Sequence, residues 1–460
     1  MSDLCSGSAP IAEYLVPGRR AHLVGIGGVS MCALAQVLHD QGMVITGSDM
    51  QRSAVTDRLE RSGIHVFIGH DAAQVAGADL LIRTAAVHDD NPEIAAAHAA
   101  GIPVFERAQS WGQLMKKYPN AVCVAGTHGK TTTSSMVTHI FLAAGRDPTV
   151  MIGGYLPLLG AGHRVGQGDT IIMESCEYCN SFLNFYPTVP VILNIDADHL
   201  DFFKDLDDIK RSFRRFAELT PANGTVVLCG DDRNTMDAMA GLDRPTLTFG
   251  LGDGCDVTAA NFQKGWSSFD ILVRGALYCH VDLPLVGRHN CSNALAAAAA
   301  AWVLGVDGAA VAEGLNSFTG AGRRMEYKGT CNGAAVYDDY AHHPGELHAL
   351  LSSIREKAPG KRVIAAFQPH TYSRTRALFD DFVRELQLAD QVLVTEIYAA
   401  REKNTLGISA AALAERIEGA RFCPTLDDLA AQLKAIATPD DVILTIGAGS
   451  ISRVSDMILD

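Results

Sequence analysis

The stretch Val122-Cys-Val-Ala-Gly-Thr-His-Gly-Lys130-Thr-Thr-Thr-Ser-Ser135 decides the fold of the middle of the chain. The apolar run at its start predicts a buried strand, and apolar residues at helical spacing after the loop predict a helix. Gly126 and Gly129 predict a tight loop between the two. This order forms an anion cradle, because backbone N–H groups of the loop and of the helix N-terminus face the anion. We therefore predict a nucleoside triphosphate site.

Within this site we expect Lys130 to reach the β- and γ-phosphates and the Thr131 hydroxyl to ligate Mg²⁺. The residues predicted to bind ATP here are Gly126, Thr127, His128, Gly129, Lys130, Thr131 and Thr132. The loop is shorter than the usual phosphate loop, which has glycine where this chain has Val124. The alternative is an ordinary strand-to-helix turn with an exposed lysine.

Composition limits the classes of protein to consider. The chain has 460 residues and a net charge of −14, so we expect two to four domains and no binding to nucleic acid through a general basic field. We find no apolar run of about 20 residues and no secretory signal, which predicts a cytoplasmic protein that is not inserted in a membrane. Eleven cysteines, an odd number, favour reduced thiols over a disulfide framework.

The first segment begins with a strand that runs into a glycine turn. This turn, Gly25-Ile-Gly27-Gly28-Val-Ser30, precedes a helix, and the next strand ends near Asp49. An acidic residue at the end of a second strand is where dinucleotide-binding folds hold a ribose hydroxyl. Strands continue to alternate with helical segments up to about Tyr118, which predicts a parallel sheet.

Two polar clusters follow strands of the second segment. Glu174-Ser-Cys-Glu177 follows one strand, and Asp196-Ala-Asp-His199-Leu-Asp201 follows another. Because functional residues of open α/β sheets lie beyond the carboxyl ends of strands, Glu174 and His199 are predicted metal ligands beside the phosphate loop. The alternatives are a charge near a helix start for Glu174 and a core histidine for His199. The single Cys176-x-x-Cys179 does not predict a zinc site, because a second pair at the required spacing is missing.

The remaining chain predicts an antiparallel insertion and a third α/β domain. Short alternating strands occupy 256–282, and by spacing Asn290 and Asn293 are predicted to cap the helix that follows. Four further strands are predicted, the first at 334–337, and each is followed by polar residues. We predict a Rossmann-like N-terminal domain (1–118), a central P-loop-type ATPase domain with a small antiparallel insertion (119–321) and a C-terminal Rossmann-like domain (322–460).

Four motifs, in this order along nearly the whole chain, resemble those of the Mur ligase family. They are Gly126-Thr-His-Gly-Lys-Thr-Thr-Thr133, Asp198-His-Leu-Asp201, His289-Asn-x-x-Asn-Ala294 and Asp338-x-Tyr-Ala-His342. Three further motifs resemble the branch of that family that acts on UDP-N-acetylmuramate and L-alanine. These are Gly25-Ile-Gly-Gly-Val-Ser-Met31, Asp339-Tyr-Ala-His-His-Pro344 and Phe367-Gln-Pro-His370.

The resemblance implies an ATP-dependent ligase. ATP would phosphorylate the lactyl carboxylate of UDP-N-acetylmuramate, and the amine of L-alanine would attack the acyl phosphate. Phosphoryl transfer between anions needs charge neutralisation and in-line positioning. Lys130 and Mg²⁺ on Thr131 and Glu174 would supply the neutralisation. The resemblance also implies a second Mg²⁺ held through His199.

The resemblance further implies where the substrates bind. Asn290 and Asn293 would lie near adenine, Arg324 near the ATP phosphates and Asp338 near the ribose. Tyr340, His342 and Arg374 would face the amino acid. The UDP-sugar would lie over the first glycine turn, on Gly25, Gly27, Gly28, Ser30 and Asp49. The residues predicted to be catalytic are Lys130, Glu174, His199, His342 and Arg374.

This chain departs from the family pattern at two positions. Thr371 stands where some members of the branch have a second arginine, and Cys176 stands where an aspartate is familiar. Because Cys176 stands beside Glu174 in the sequence, oxidation or alkylation of Cys176 is predicted to inhibit the enzyme. Three other functions remain as alternatives: a sister ligase that adds a peptide or another amino acid, a regulatory or motor ATPase, and a dehydrogenase. We expect a monomer or a weak homodimer.

Overall fold

The computed structural model describes residues 10–84, 87–200, 202–400 and 402–460, and these residues form three β-sheets covered by helices. Each sheet lies within one of the three segments predicted from the sequence. The α/β class is confirmed, because apolar strands alternate with helices along the chain. Asp201, part of one quoted motif, lies outside the described residues.

The first sheet is parallel throughout, with the strand order β3-β2-β1-β4-β5. Its strands are β1 Arg20–Val24, β2 Val44–Asp49, β3 His65–Ile68, β4 Leu80–Arg83 and β5 Val104–Glu106. Its helices are α1 Val29–Asp40, α2 Ala54–Arg61, α3 Pro92–Ala99 and α4 Arg107–Met115. Because β1 is central and pairs with β2, the turn at Gly25 and the carboxylate of Asp49 meet at one edge of the sheet.

The second sheet has the strand order β15-β14-β13-β12-β11-β10-β6-β9-β7-β8. Its strands are β6 Asn120–Ala125, β7 Thr149–Leu156, β8 Ala161–Arg164, β9 Thr170–Glu174, β10 Val189–Ile192, β11 Val226–Cys229, β12 Thr246–Phe249, β13 Val257–Gln263, β14 Ser268–Val273 and β15 Ala276–Asp282. Its helices are α5 Lys130–Ala143, α6 Leu206–Glu218, α7 Arg233–Met239, α8 Arg288–Val303 and α9 Gly308–Asn316. The predicted antiparallel strands extend this sheet at its β15 edge.

Helices α5 and α8 form the core beside this sheet. The residues of β6 from Ala121 to Ala125 are fully buried, and so is the alanine run 294–301 of α8. Alanine side chains let α8 approach closely, since they add little volume between the helix and the strands. Gly314 of α9 allows the same closeness to α5, because a Cβ there would lie 2.5 Å from the Ile140 Cα atom. This packing fixes the direction in which α5 leaves the phosphate loop.

The third sheet has the strand order β16-β17-β21-β18-β19-β20 and is parallel except for the pair β16 and β17. Its strands are β16 Glu326–Cys331, β17 Ala334–Asp339, β18 Arg362–Phe367, β19 Gln391–Thr395, β20 Arg421–Cys423 and β21 Asp441–Ile446. Its helices are α10 Pro344–Lys357, α11 Tyr372–Ala377, α12 Phe379–Leu386, α13 Ala410–Glu415, α14 Leu426–Ile436 and α15 Ser452–Ile458.

The structure corrects several expectations. The hairpin of β7 and β8 and the strands β12 and β20 were not predicted. Strand β16 precedes the strand at 334–337, which the sequence predicts as the first of the third segment. The capping role of Asn290 and Asn293 is wrong, because α8 begins earlier and Gly287 is its N-cap. Across the described part of the chain, no helix has both the length and the apolarity that a membrane span requires.

Candidate active site

Three loops of the second sheet meet because their strands are neighbours. Strand β6 lies between β9 and β10, so its phosphate loop adjoins the residues after Glu174 on one side and after Ile192 on the other. The carboxyl ends of parallel strands share one edge, where ligands bind in open α/β sheets. The topology therefore places both predicted polar clusters beside the phosphate loop.

The backbone of the loop requires glycine at two positions. Gly129, the N-cap of α5, has a φ of +85°, and a Cβ there would lie 2.6 Å from the Asn293 side-chain oxygen. Gly126 has a φ of +148°, and its Cβ would lie 2.9 Å from that of Leu193. Because a side chain at either position is strained or clashes, only glycine closes the loop this tightly.

Lys130 lies beneath the loop in contact with both backbone and carboxylate. Its ammonium donates to the carbonyl oxygens of Gly126 and Thr127 and lies 3.2 Å from a Glu177 carboxylate oxygen. Burial opposes the charge, but Glu177 and the neighbouring acidic groups raise the pKa of Lys130 above its usual value. The lysine is therefore cationic at neutral pH and places a positive charge at the base of the loop.

Thr131 and Glu174, both predicted metal ligands, are hydrogen-bonded to each other. The Thr131 hydroxyl donates to a Glu174 carboxylate oxygen at 2.9 Å, and that oxygen also accepts from the backbone N–H of Gly153 at 2.7 Å. A hydroxyl and a carboxylate beside a phosphate loop fit Mg²⁺, which takes few protein oxygens plus phosphate oxygens and water. The donor set therefore suits the predicted ion.

His199 lies close to the same carboxylate as Lys130. Its Nε2 atom is 4.0 Å from a Glu177 oxygen and 3.8 Å from an Asp198 oxygen, and its ring lies 4.7 Å from that of Tyr178. His199 also has a φ of +54°, a conformation uncommon outside glycine. Strain of this kind is often found at functional sites. His199 therefore belongs to the cluster around Lys130.

A cavity of about 810 Å³ opens beside the loop and extends to the third sheet. Predicted ATP contacts line it: His128, Gly129, Thr132, Asn290, Asn293 and Arg324. The Asn290 amide donates to the carbonyl oxygen of Val286 at 2.8 Å, which leaves its own side-chain oxygen to accept other bonds. The size and the lining suit a nucleotide.

The two aspartates at the end of β17 have different environments. Asp338, the predicted ribose contact, is buried and accepts from Arg323 at 2.9 Å and from Thr445 at 2.8 Å. Its neighbour Asp339 lines the large cavity and accepts from the backbone N–H groups of Met325 and Ala341. Burial raises the pKa of Asp339 to about 6. Adjacent residues of a strand point to opposite faces, which explains the difference.

A second cavity of about 420 Å³ lies between the loop after β10 and the residues after β18. It contains Arg374, whose guanidinium contacts Asp198 at 3.0 Å and the His370 ring at 3.2 Å. Burial opposes ionisation of Asp198, but the charges of Arg374 and His199 hold its pKa below the usual range. The predicted amino-acid arginine therefore lies next to the predicted metal-binding histidine.

Tyr340 lies beside two arginines, and His342 lies beside His370, which lines this second cavity. The guanidinium carbons of Arg323 and Arg324 lie 4.9 and 5.3 Å from the centre of the Tyr340 ring, within cation–π range. The His342 ring centre is 5.9 Å from that of His370, and burial lowers the pKa of His342 to about 4. His342 is therefore neutral at pH 7.

The predicted UDP-sugar residues come together at the edge of the first sheet. The backbone N–H of Gly27 donates to the Asp49 carboxylate at 2.9 Å, and a Cβ on Gly27 would lie 2.7 Å from that oxygen. The backbone N–H of Gly28 bonds instead to the carbonyl of Gly25. The Ser30 hydroxyl accepts from the Trp111 indole at 3.1 Å. The turn and Asp49 thus form one unit, and Ser30 has a structural partner.

Sequence reasoning passed over three residues of the site. Glu177, the partner of Lys130, stood in a quoted cluster but was given no role. Asp339 lies next to Asp338, the predicted ribose contact. His370 was quoted in a motif only. Their positions in the sequence could have indicated them, since each residue lies at or just beyond the carboxyl end of a strand.

Family models match most of the chain. The Mur ligase middle domain matches residues 124–301, the Mur ligase family catalytic domain matches 20–119, and the Mur ligase glutamate ligase domain matches 323–449.

Curated relatives are similar to this chain over nearly its whole length. A UDP-N-acetylmuramate–L-alanine ligase of Caldanaerobacter subterraneus subsp. tengcongensis is 46% identical over 96% of this chain and 97% of its own. A relative with the same name from Agathobacter rectalis is 44% identical over 95% of this chain and 97% of its own.

Solved structures show the same fold. The UDP-N-acetylmuramate-alanine ligase of Thermotoga maritima is 30% identical, with a TM-score of 0.81 over 95% of this chain and 98% of its own. A murein peptide ligase from Psychrobacter arcticus is 24% identical, with a TM-score of 0.73 over 96% of this chain and 98% of its own. The second comparison shows likeness of fold alone.

Proposed function

The chain belongs to the Mur ligase family, and we propose that it joins L-alanine to the lactyl carboxylate of UDP-N-acetylmuramate with cleavage of ATP to ADP and phosphate. The observation that carries this assignment is the position of Lys130. Its ammonium lies between the phosphate loop and Glu177, and Glu177 in turn faces His199. One cluster thus joins a nucleotide cavity to a second cavity that contains an arginine.

The first step transfers the γ-phosphoryl group of ATP to the carboxylate of the sugar. Two anions must approach in line, so charge neutralisation and positioning dominate the catalysis. Lys130 supplies a fixed positive charge at the loop, and the backbone N–H groups at the start of α5 face the phosphates. Mg²⁺ held by Thr131 and Glu174 would neutralise phosphate charge. A second ion, held through His199, is part of the proposal.

The second step forms the amide bond. The alanine amine attacks the carbonyl carbon of the acyl phosphate, phosphate leaves with the electron pair of the C–O bond, and the amine loses a proton. Arg374 would hold the alanine carboxylate, since a guanidinium can donate two parallel hydrogen bonds. Tyr340 and His342 would line the approach. His342, neutral at pH 7, could orient the amine without repelling it.

The remaining contacts complete the assignment. Asn290, Asn293 and Arg324 would contact ATP from the large cavity, and we add Asp339, which lines that cavity where Asp338 does not. The UDP group would lie over the Gly25–Ser30 turn beside Asp49. We propose domain boundaries near 118 and 321, a monomer or weak homodimer, and a cytoplasmic location. The described cysteines are all free thiols, which suits a reducing compartment.

The experiment is a substrate-omission test on the purified chain. Phosphate release from ATP is measured with both substrates and with each one absent. The proposal expects release only when UDP-N-acetylmuramate and L-alanine are both present, with formation of the amide product. Release without the sugar would identify an ATPase of another kind. Reaction with a tripeptide in place of L-alanine would identify a peptide-adding ligase.

A further inference from the structure

His128 lies in the phosphate loop and lines the large cavity, but the ligation described above assigns no step to its ring. Both of its ring nitrogens are buried, and neither has a hydrogen-bond partner among the described residues. A buried polar atom without a partner is costly, and in a native structure it indicates a strained site, an unseen water or an ion. The surroundings of this ring therefore bear on what could bind there.

Two further metal-ligand side chains face His128. One ring nitrogen of His128, one of His343 and a carboxylate oxygen of Asp196 all lie within 4.8 Å of one another. The His128 Nε2 atom is 3.8 Å from an Asp196 oxygen, and the two imidazole ring centres are 4.8 Å apart. Asp196 follows β10, whereas His343 precedes α10 of the third sheet. The three groups thus come from separate parts of the chain.

We propose that His128, Asp196 and His343 bind a divalent transition metal ion of the Zn²⁺, Co²⁺ or Ni²⁺ class. Two imidazoles and a carboxylate suit these ions, whereas Mg²⁺ prefers an all-oxygen shell. This site is separate from the oxygen ligands Thr131 and Glu174. Ligand atoms on a tetrahedral ion, each about 2.1 Å from the metal, are about 3.4 Å apart. Small side-chain rotations would bring the three groups to that separation.

Neighbouring oxygen atoms orient both imidazoles. The His128 Nδ1 atom faces a Glu346 oxygen at 3.6 Å, and the His343 Nε2 atom lies 3.3 Å from the carbonyl oxygen of Ala197. Histidines that bind metals usually donate their second N–H to a carboxylate or a backbone carbonyl, which orients the ring. Each imidazole here faces an oxygen of this kind, although the Glu346 oxygen is beyond hydrogen-bond distance of His128. The His343 Nδ1 atom accepts from the backbone N–H of Gly345 at 3.3 Å, so a bound ion would replace that hydrogen bond.

Occupancy of this site would affect nucleotide binding. His128 and Asp196 line the large cavity together with Gly129 and Asn293. A metal ion there would connect the second sheet to the third across that cavity. A transition metal bound there would occupy the mouth of the phosphate loop.

The test measures binding of Co²⁺ alone to the full-length, nucleotide-free chain. Co²⁺ absorption separates imidazole and carboxylate ligands from thiolates, which add a strong near-ultraviolet charge-transfer band. We compare the wild type with Asp196→Asn and His343→Asn; asparagine can keep the N-cap function of residue 343. His348→Asn, on the exposed side of α10, and Cys176→Ser are the controls.

The proposal expects one Co²⁺ ion to bind per chain, without a thiolate band. Zn²⁺ should displace this ion, whereas Mg²⁺ at the same concentration should not. Both site variants should bind at least about 10-fold more weakly, while both controls bind like the wild type. Thermal unfolding checks that each variant is folded. Unchanged affinity in Asp196→Asn, or a thiolate band lost in Cys176→Ser, would overturn the proposal. Since no turnover is measured, the result is independent of the ligase assignment.

Discussion

Arg374 and Asp198 form an ion pair that joins the third sheet to the second. The Arg374 Nη2 atom lies 3.0 Å from an Asp198 oxygen, and the two side chains are 12% and 11% exposed. The guanidinium also contacts His370. The pair therefore holds Arg374 in the smaller cavity beside His199, with further N–H groups left to bind a carboxylate.

Replacing Arg374 with lysine is expected to weaken binding of the amino acid. Lysine keeps the charge but loses the two-pronged geometry, so it cannot contact Asp198 and a substrate carboxylate at once. We expect the KM for L-alanine to rise by about 10- to 100-fold, corresponding to one or two charged hydrogen bonds. Initial rates at varied L-alanine measure this effect.

The KM for ATP should change little in that variant, because the nucleotide cavity is elsewhere. Arg376→Lys, two residues along the same helix and exposed, serves as the matched control and should behave like the wild type. An equal rise in both KM values for Arg374→Lys would indicate general disruption of the domain contact instead.

Replacing Lys130 with methionine is expected to abolish turnover. Methionine keeps most of the volume but removes the charge that stabilises the transferring phosphoryl group. Loss of one such donor costs at least about 10²- to 10³-fold in kcat. Burial of the Glu177 carboxylate without its partner would also destabilise the second sheet, so the double variant Lys130→Met with Glu177→Gln is included.

Two measurements separate chemistry from folding in the Lys130 variants. Calorimetric titration with UDP-N-acetylmuramate should give wild-type affinity, because the sugar nucleotide is expected on the first sheet. Phosphate release should stay near background in both the single and the double variant. Substantial turnover in either one would remove Lys130 from the mechanism.

The sequence predicted the three sheets and the phosphate loop because their signals are local. Apolar strands, positive-φ glycines and a helix start lie within a few residues of each other around Lys130. The pairing of Lys130 with Glu177 depends instead on strand order, since β9 and β6 are distant in sequence but adjacent in the sheet. Periodicity does not encode that order.

Short edge strands and adjacent polar residues were harder to predict. The strand β8, with the residues Ala161–Arg164, lacks an apolar alternation, and its pairing with β7 depends on tertiary contacts. The position of Asp339 in the lining of the large cavity was not predicted, for a similar reason. A one-residue shift reverses the face to which a side chain points, and the sequence pattern did not define which face holds the cavity.

The two aspartates of β17 give a paired prediction. Asp339→Asn is expected to raise the KM for ATP, because the carboxylate that faces the cavity would lose charge. Asp338→Asn is expected to lower stability instead, since Arg323 would be left with a neutral partner in a buried position. The cost of breaking a buried pair is about 3–5 kcal/mol, and an amide that keeps part of the bonding would lose less.

The pH dependence tests the role of Asp339 directly. Its pKa is raised to about 6 by burial, so the carboxylate is ionised above that pH and protonated below it. If the ionised form accepts bonds from the nucleotide, ATP affinity in the wild type should fall as the pH drops from 7 to 5. Asp339→Asn should show a flatter profile over this range. A wild-type profile retained in the variant would assign the titration to another group.

The last prediction concerns a buried network in the first sheet. Glu93 is fully buried and contacts two histidines and a serine: His22 Nε2 at 2.6 Å, His70 Nδ1 at 2.5 Å and the Ser48 hydroxyl at 2.8 Å. Burial opposes ionisation of Glu93, but the hydrogen bonds from His22, Ser48 and His70 lower its pKa. Ser48 also accepts backbone N–H bonds from Gly25 and Ile26, so the network supports the glycine turn.

Glu93→Gln should destabilise the first sheet by about 3 kcal/mol at pH 7, because an amide cannot satisfy both histidines as a carboxylate does. Since the folded-state pKa is lowered, the stabilisation is complete above the unfolded-state value of about 4.3 and is lost as the pH falls below it. The difference between variant and wild type should therefore shrink between pH 5 and pH 3. Hydrogen exchange of the β1 and β2 amides measures the local free energy of opening. The exposed Glu313→Gln is the control, expected within about 0.5 kcal/mol of the wild type; a similar loss there would make the effect non-specific.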